Sequence, residues 1–166
     1  NRVRSMTLLH EVLYRSDNLA RIGLAAYVEE LCLHLVRTFG QTADRVRVER
    51  QVVAVSLPMA QAMPCGLIIN ELVINALKYG FPDGKTGRVL VKVILDDGQI
   101  VLSVSDNGVG LPPGFDPAAS PNLGLQLVSN LAGQLGGSLE WERGAEGGSL
   151  CRVRFPAPGI TGQGDE

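Results

Sequence analysis

Along this chain the apolar residues recur every three or four positions in some stretches and every second position in others, and the change of period marks helices off from strands. Val3, Met6, Leu9 and Leu13, with Val12 and Tyr14 beside them, predict an amphipathic helix over residues 1–16, broken at Arg15-Ser16-Asp17-Asn18. Over residues 24–39, Ala25, Val28, Leu31, Cys32, Leu35 and Val36 share one side of a second helix, and Gly40 is expected to close it in a left-handed conformation. Val46, Val48 and the β-branched residues of 52–57 read as strands joined by a short turn. A long helix is expected from Met59 or Pro64 to Tyr79, stopped by Gly80 and Pro82.

Val89, Val91, Val93 and Leu95, then Ile100, Leu102 and Val104, alternate on either side of Asp97-Gly98, which is a hairpin signature. Residues 110–120 switch to Gly, Pro, Asp and Ser and predict an exposed loop. Leu123, Leu125, Leu127, Val128, Leu131 and Leu135 then give a helix that ends at Gly136-Gly137, and residues 138–142 and 150–155 form a last hairpin across residues 144–148. The Gly- and Pro-rich residues 157–166 are expected to be a flexible tail. Hairpin-joined strands interleaved with helices predict an α/β (α+β) two-layer sandwich, with helices on one face of a mixed, mostly antiparallel sheet. A doubly wound parallel sheet does not fit this order.

Composition narrows the class. With 166 residues, 45% apolar and 19% charged, the chain has room for one domain with a sizeable core. Fifteen basic against seventeen acidic residues, with no basic block, predict no nucleic-acid face. The apolar stretches read as far short of a membrane span, so no membrane contact is expected. Cys32, Cys65 and Cys151 are widely spaced and lack metal-ligand spacing, which predicts buried free thiols in a reducing, cytoplasmic compartment.

Three segments carry candidate chemistry. On the long helix, Glu71, Asn75 and Lys78 fall within about 60° of one another, with Ile69, Leu72, Val73, Ala76 and Leu77 on the buried side. An amide oxygen can ligate Mg²⁺, a carboxylate can orient water, and an ammonium can meet phosphate. Taken on its own, the stripe reads first as a solvated helix face. Asp106-Asn107-Gly108-Val109-Gly110 ends a strand with a carboxylate able to accept from the exocyclic amine of adenine, and its glycines allow close approach to a flat base. An ordinary turn has the same composition. Leu123-Gly124-Leu125 opens a helix whose free amides suit phosphate oxygens. Together, and in this order, the three predict an ATP pocket.

These segments resemble the N, G1 and G2 boxes of the Bergerat-fold ATPases, and Gly147-Gly148-Ser149 resembles their last glycine box. Arg2-Val3-Arg4-Ser5-Met6 and Leu9-His10-Glu11-Val12-Leu13-Tyr14-Arg15-Ser16 resemble the end of the second dimerisation helix of sensor histidine kinases with a variant phosphoacceptor domain. The HWE kinases are similar but open the N box with His and carry Trp-x-Glu near G1. This chain has Asn70 and Ser103-Val104-Ser105 there, which sets it beside that group.

The resemblance implies residues 1–20 as a remnant of the dimerisation helix, 21–40 as a connecting helix and 41–156 as the catalytic ATP-binding domain. It implies that Asn75 coordinates Mg²⁺, Lys78 contacts phosphate and Asp106 fixes adenine. Gly108 and Gly110 would shape the base pocket and the lid hinge, Gly124 and Leu125 would offer amides to phosphates, and Ser149 would support the adenine contact. Glu71 would orient the acceptor imidazole or take its proton, and Tyr79 would border the nucleotide or pack the helix end. The G2 segment has fewer glycines than conventional kinases, and Pro112, Pro113, Pro117 and Pro121 imply a shorter or stiffer lid of which only Phe115 is aromatic. The activity implied is transfer of the ATP γ-phosphoryl group to a histidine, then to a response-regulator aspartate, within a homodimeric full-length protein. The acceptor histidine is expected on a first helix outside this fragment. His10 and His34 are expected to be packing or surface residues.

Overall fold

The computed structural model describes residues 21–117 and 122–158. The helix expected over residues 1–16, with His10, lies outside them, as does the tail expected over 157–166 except for its first two residues.

Strand β1 (Arg21–Gly23) leads into helix α1 (Leu24–Thr38), a one-turn helix α2 (Gly40–Ala43) and strand β2 (Val46–Val52). Strand β3 (Ser56–Pro58) precedes the long helix α3 (Met59–Tyr79), which is followed by the hairpin β4 (Gly87–Asp96) and β5 (Gln99–Asp106). Helix α4 (Leu123–Gln134) and the hairpin β6 (Ser138–Arg143) and β7 (Ser149–Pro156) complete the fold. The main sheet runs β2-β4-β5-β7-β6, antiparallel except where β2 lies parallel to β4. This is the mixed two-layer sandwich that the change of period predicts.

The cross-strand row Val91, Val104, Cys151 and Trp141 faces the helices, as does the row Val93, Leu102, Val153 and Leu139. They close one core with Leu31, Leu35, Ile69, Val73 and Val128, and each buried valine or leucine there contributes about 1.5–3 kcal/mol. On the opposite face Arg152 meets Glu140 and Glu142, and Arg88 meets Glu49 and Glu146. Ion pairs this exposed add solubility more than stability. At the β4–β5 turn, Asp97 (φ 51) and Gly98 (φ 77) take the left-handed pair that a two-residue hairpin requires.

Three local expectations are corrected. Residues 46–57 do not make a hairpin: β2 joins the main sheet, whereas β3 pairs antiparallel with β1 in a separate two-stranded sheet under α3. Gly40 is not a left-handed cap, because α1 ends at Phe39 and the chain winds directly into α2. The long helix starts at Met59 and runs through Pro64, which is buried inside it and, as the sixth residue, lacks the N–H that would bond the Ala60 carbonyl. That helix also revises the reading of apolar lengths. Its 21 residues, with hydropathy 1.3 over its most apolar window, would suffice to cross a membrane by length and composition, yet 61% of that window is buried within the domain. Its apolarity comes from packing on several sides: the sheet beneath, α4 beside it, and α1, whose Tyr27 ring lies so close to Gly66 that any Cβ there would collide with it.

Candidate nucleotide site

Between α3, the C-terminal end of β5 and the start of α4 lies a cavity of about 330 Å³. Asp106 stands at its edge, where β5 leaves the sheet. Its Oδ1 accepts the Gly108 N–H at 2.9 Å and its Oδ2 accepts the Ser149 hydroxyl at 2.9 Å. Two fixed donors orient the carboxylate while each oxygen keeps capacity for another bond. The backbone behind it is equally constrained. Val109 N–H donates to the Gly80 carbonyl at 2.9 Å, tying the end of α3 to the loop after Asp106, and Asn107 Oδ1 accepts from Arg88 N–H at 2.8 Å. Gly148, with φ 71, lies so close to the Asp106 carbonyl that a Cβ there would strike it, so only glycine fits at that position.

The wall next to Asp106 is apolar. Leu72 and Ala76 from α3, Val104 from β5, Cys151 from β7 and Trp141 from β6 line it. Burial pushes the Cys151 thiol up to about 12, with Arg152 opposing, so it remains a neutral wall atom. Tyr79, 63% exposed, and Phe115 stand at the rim with Leu111 and Pro112. The other end of the cavity is reached by Asn75, half-buried on α3, and by Asn122 and Leu125 at the start of α4. There Asn122 Oδ1 accepts from Gly124 N–H at 2.8 Å and Leu125 N–H at 3.2 Å, capping the helix.

Of the residues singled out in the sequence, Asn75, Asp106, Gly110, Leu125 and Ser149 line this one cavity, with Tyr79 at its edge. Glu71, Lys78, Gly108 and Gly124 do not line it. Gly108 lies behind Asp106 and serves through its amide. Glu71, 9% exposed, reaches the start of α4, where a Cβ on Gly124 would come 2.6 Å from its Oε2 and 3.1 Å from Asn122 Oδ1. Gly124 is thus the spacer over which a carboxylate and a carboxamide meet. Lys78 is exposed one turn beyond Asn75. Trp141, Cys151 and Asn122 were not legible as site residues. The first two look like ordinary inward positions of a strand, but Asn immediately before an apolar-periodic run was a readable helix cap.

Among the described residues no group of three His, Cys, Asp or Glu side chains could hold a metal ion. An ion bound here would need ligands from phosphate oxygens and water besides Asn75. That is the donor set Mg²⁺ prefers, and the residues present fit it.

Residues 60–159 match the family of histidine kinase-, DNA gyrase B- and HSP90-like ATPases, and residues 1–39 match a histidine kinase family model. The chain belongs to the first of these families, which implies that it binds ATP. More narrowly, it is a catalytic ATP-binding domain of the sensor histidine kinase type. It is 32% identical over 136 residues to blue-light-activated histidine kinase 2 of Erythrobacter litoralis, a match covering 81% of this chain and 38% of the relative. It is 29% identical over 157 residues to the sensor histidine kinase PdtaS of Mycobacterium tuberculosis, covering 93% and 31%. The solved histidine kinase domain of an Erythrobacter litoralis blue-light-activated kinase superposes with a TM-score of 0.83 at 28% identity, covering 94% of this chain and 73% of that one. The chain spans about a third of the length of the curated relatives it matches.

Proposed function

We propose that this domain moves the γ-phosphoryl group of ATP to an imidazole nitrogen of a histidine on a dimerisation helix, from which a response-regulator aspartate takes it. The observation that carries this reading is the cavity that joins a doubly bonded Asp106 carboxylate at one end to Asn75 and the start of α4 at the other. Asp106 accepts from the adenine amine against the wall of Val104, Cys151 and Trp141. Asn75 would hold Mg²⁺, which would supply charge neutralisation for the phosphates, and Lys78 approaches them from the exposed end of α3. Glu71, close to α4, orients the acceptor imidazole. Catalysis is then positioning and charge stabilisation, with the N–P bond forming as the bond to the ADP oxygen breaks.

Among the described residues the sole histidine, His34, lies on α1 and does not line the cavity, which supports an acceptor delivered by another helix. On this reading residues 1–20 end the dimerisation helix, 21–40 connect it, and 41–156 form the catalytic domain of a homodimer. Its co-substrate and three free buried thiols suit the cytoplasm.

Incubation with γ-labelled ATP, Mg²⁺ and a separately supplied histidine-bearing helix pair tests the proposal. Label should appear on the helix as an acid-labile, base-stable phosphoramidate, and Asn75→Ala should lose it while still binding adenosine. Label on a serine of an antagonist-like protein would indicate a protein serine kinase of the anti-sigma type. ATP binding with no transfer to any acceptor would indicate an interaction module.

A further inference from the structure

Asn122, at the end of the cavity where α4 begins, holds backbone donors that a phosphate oxygen could also use. Gly124 and Leu125 amides, the pair read above as phosphate donors, are both already taken by one oxygen, Asn122 Oδ1, at 2.8 and 3.2 Å. Asn122 lines the same cavity as Asn75 and Asp106. Its carboxamide oxygen therefore occupies the place, and performs the electrostatic task, of an incoming phosphate oxygen: a partial negative charge accepting from the first turn of a twelve-residue helix. An amide N–H offers one proton. A phosphate oxygen and Asn122 Oδ1 cannot both receive it at full strength, and Glu71 Oε2 lies near the same turn, 2.6 Å from where a Cβ on Gly124 would stand.

We infer that Asn122 is a positioning residue that competes with a phosphate oxygen for the Gly124 and Leu125 amides and yields them when ATP binds. This rests on the ATP reading of the pocket. It makes the affinity for the triphosphate the difference between two occupants of the same donors, so the cap that stabilises the free domain weakens its hold on nucleotide.

The test is calorimetric titration of the chain with ATP and with adenosine, in the wild type, Asn122→Ala and Asn122→Asp, beside thermal denaturation of each. Asn122→Ala loses the cap and melts lower, yet binds ATP about fivefold tighter, because nothing has to be displaced, while adenosine affinity is unchanged. Asn122→Asp keeps the cap and the melting temperature but sets a full negative charge against the phosphates, so ATP weakens by about tenfold or more and adenosine again does not change. A purely structural role moves both ligands together, in step with stability. Equal or weaker ATP binding in Asn122→Ala overturns the inference. Should that variant fail to fold, unchanged ATP binding in Asn122→Asp overturns it alone. A wild-type domain that binds neither ligand would instead overturn the ATP reading of the pocket, a result distinct from either.

Discussion

The two ends of the cavity are built differently. At the base end the carboxylate already has fixed partners: Asp106 is held by Gly108 and Ser149, and the loop behind it is tied to Gly80. At the phosphate end Asn75 is half-buried, Lys78 is exposed, and the helix amides are satisfied by a substitute oxygen from Asn122. The contrast follows from what each end must recognise. A flat, uncharged base is read by shape and a fixed carboxylate, which a rigid frame does best. A mobile, highly charged triphosphate with its metal is gathered by groups that can move onto it, and the protein leaves part of the coordination to the ligand.

Gly148→Ala should produce the largest effect, because it strikes the rigid end at the backbone. A Cβ at φ 71 stores about 1–3 kcal/mol of strain, and the collision with the Asp106 carbonyl adds to it. A lowered melting temperature and loss of both ATP and adenosine binding are expected, and retention of adenosine affinity would show that the base end is not rigid. Lys78→Ala addresses the other end. ATP should weaken by about fivefold, more at low salt, with adenosine unaffected. A parallel loss of adenosine would erase the distinction between the ends.

How far the site could be read in advance also differs between the ends. Asp106 and the glycines behind it stood out as a strand end followed by Asp-Asn-Gly, although an ordinary turn has the same composition, and Ser149 was singled out only through the family resemblance of Gly147-Gly148-Ser149. Helical spacing put Asn75 on a polar stripe, and only the neighbouring segments and the family resemblance turned that stripe into a site. Glu71 and Lys78 lie on the same stripe, but the stripe does not say which of its members the cavity reaches, since that depends on where α4 crosses α3. Trp141 and Cys151 belong to the wall only because β6 and β7 place them beside Val104, and cross-strand register is invisible in one strand's alternation. The same limit explains β3, whose partner β1 lies more than thirty residues earlier. Asn70 is a further case. It is fully buried on α3, with neither side-chain atom hydrogen-bonded, although its position beside Glu71 reads as part of a polar stripe.

Ser149→Ala removes one of the two bonds that orient Asp106. Because it acts at second hand, a loss of about threefold in both ligands is expected from titration, and an effect on ATP alone would move Ser149 to the phosphate end. The smallest effect concerns alkaline pH. Burial pushes the Cys65 and Cys151 thiols from 9.0 up to about 12, and Cys32 to about 11. The unfolded thiols ionise first, so the stability these groups support is complete below pH 9 and is lost as pH rises through the folded-state values. Melting temperatures recorded from pH 7 to 11 should hold level to about pH 9 and then decline. A level profile to pH 11 would show that Cys151 is not enclosed in the base wall.

The most direct measurement is a titration of the wild type and Asp106→Asn with adenosine and with ATP. A preformed base end predicts that the wild type binds adenosine without any divalent cation, and that Asp106→Asn, which turns an acceptor oxygen into a donor, abolishes binding of both ligands. Unchanged ATP affinity in Asp106→Asn would contradict the account at its centre.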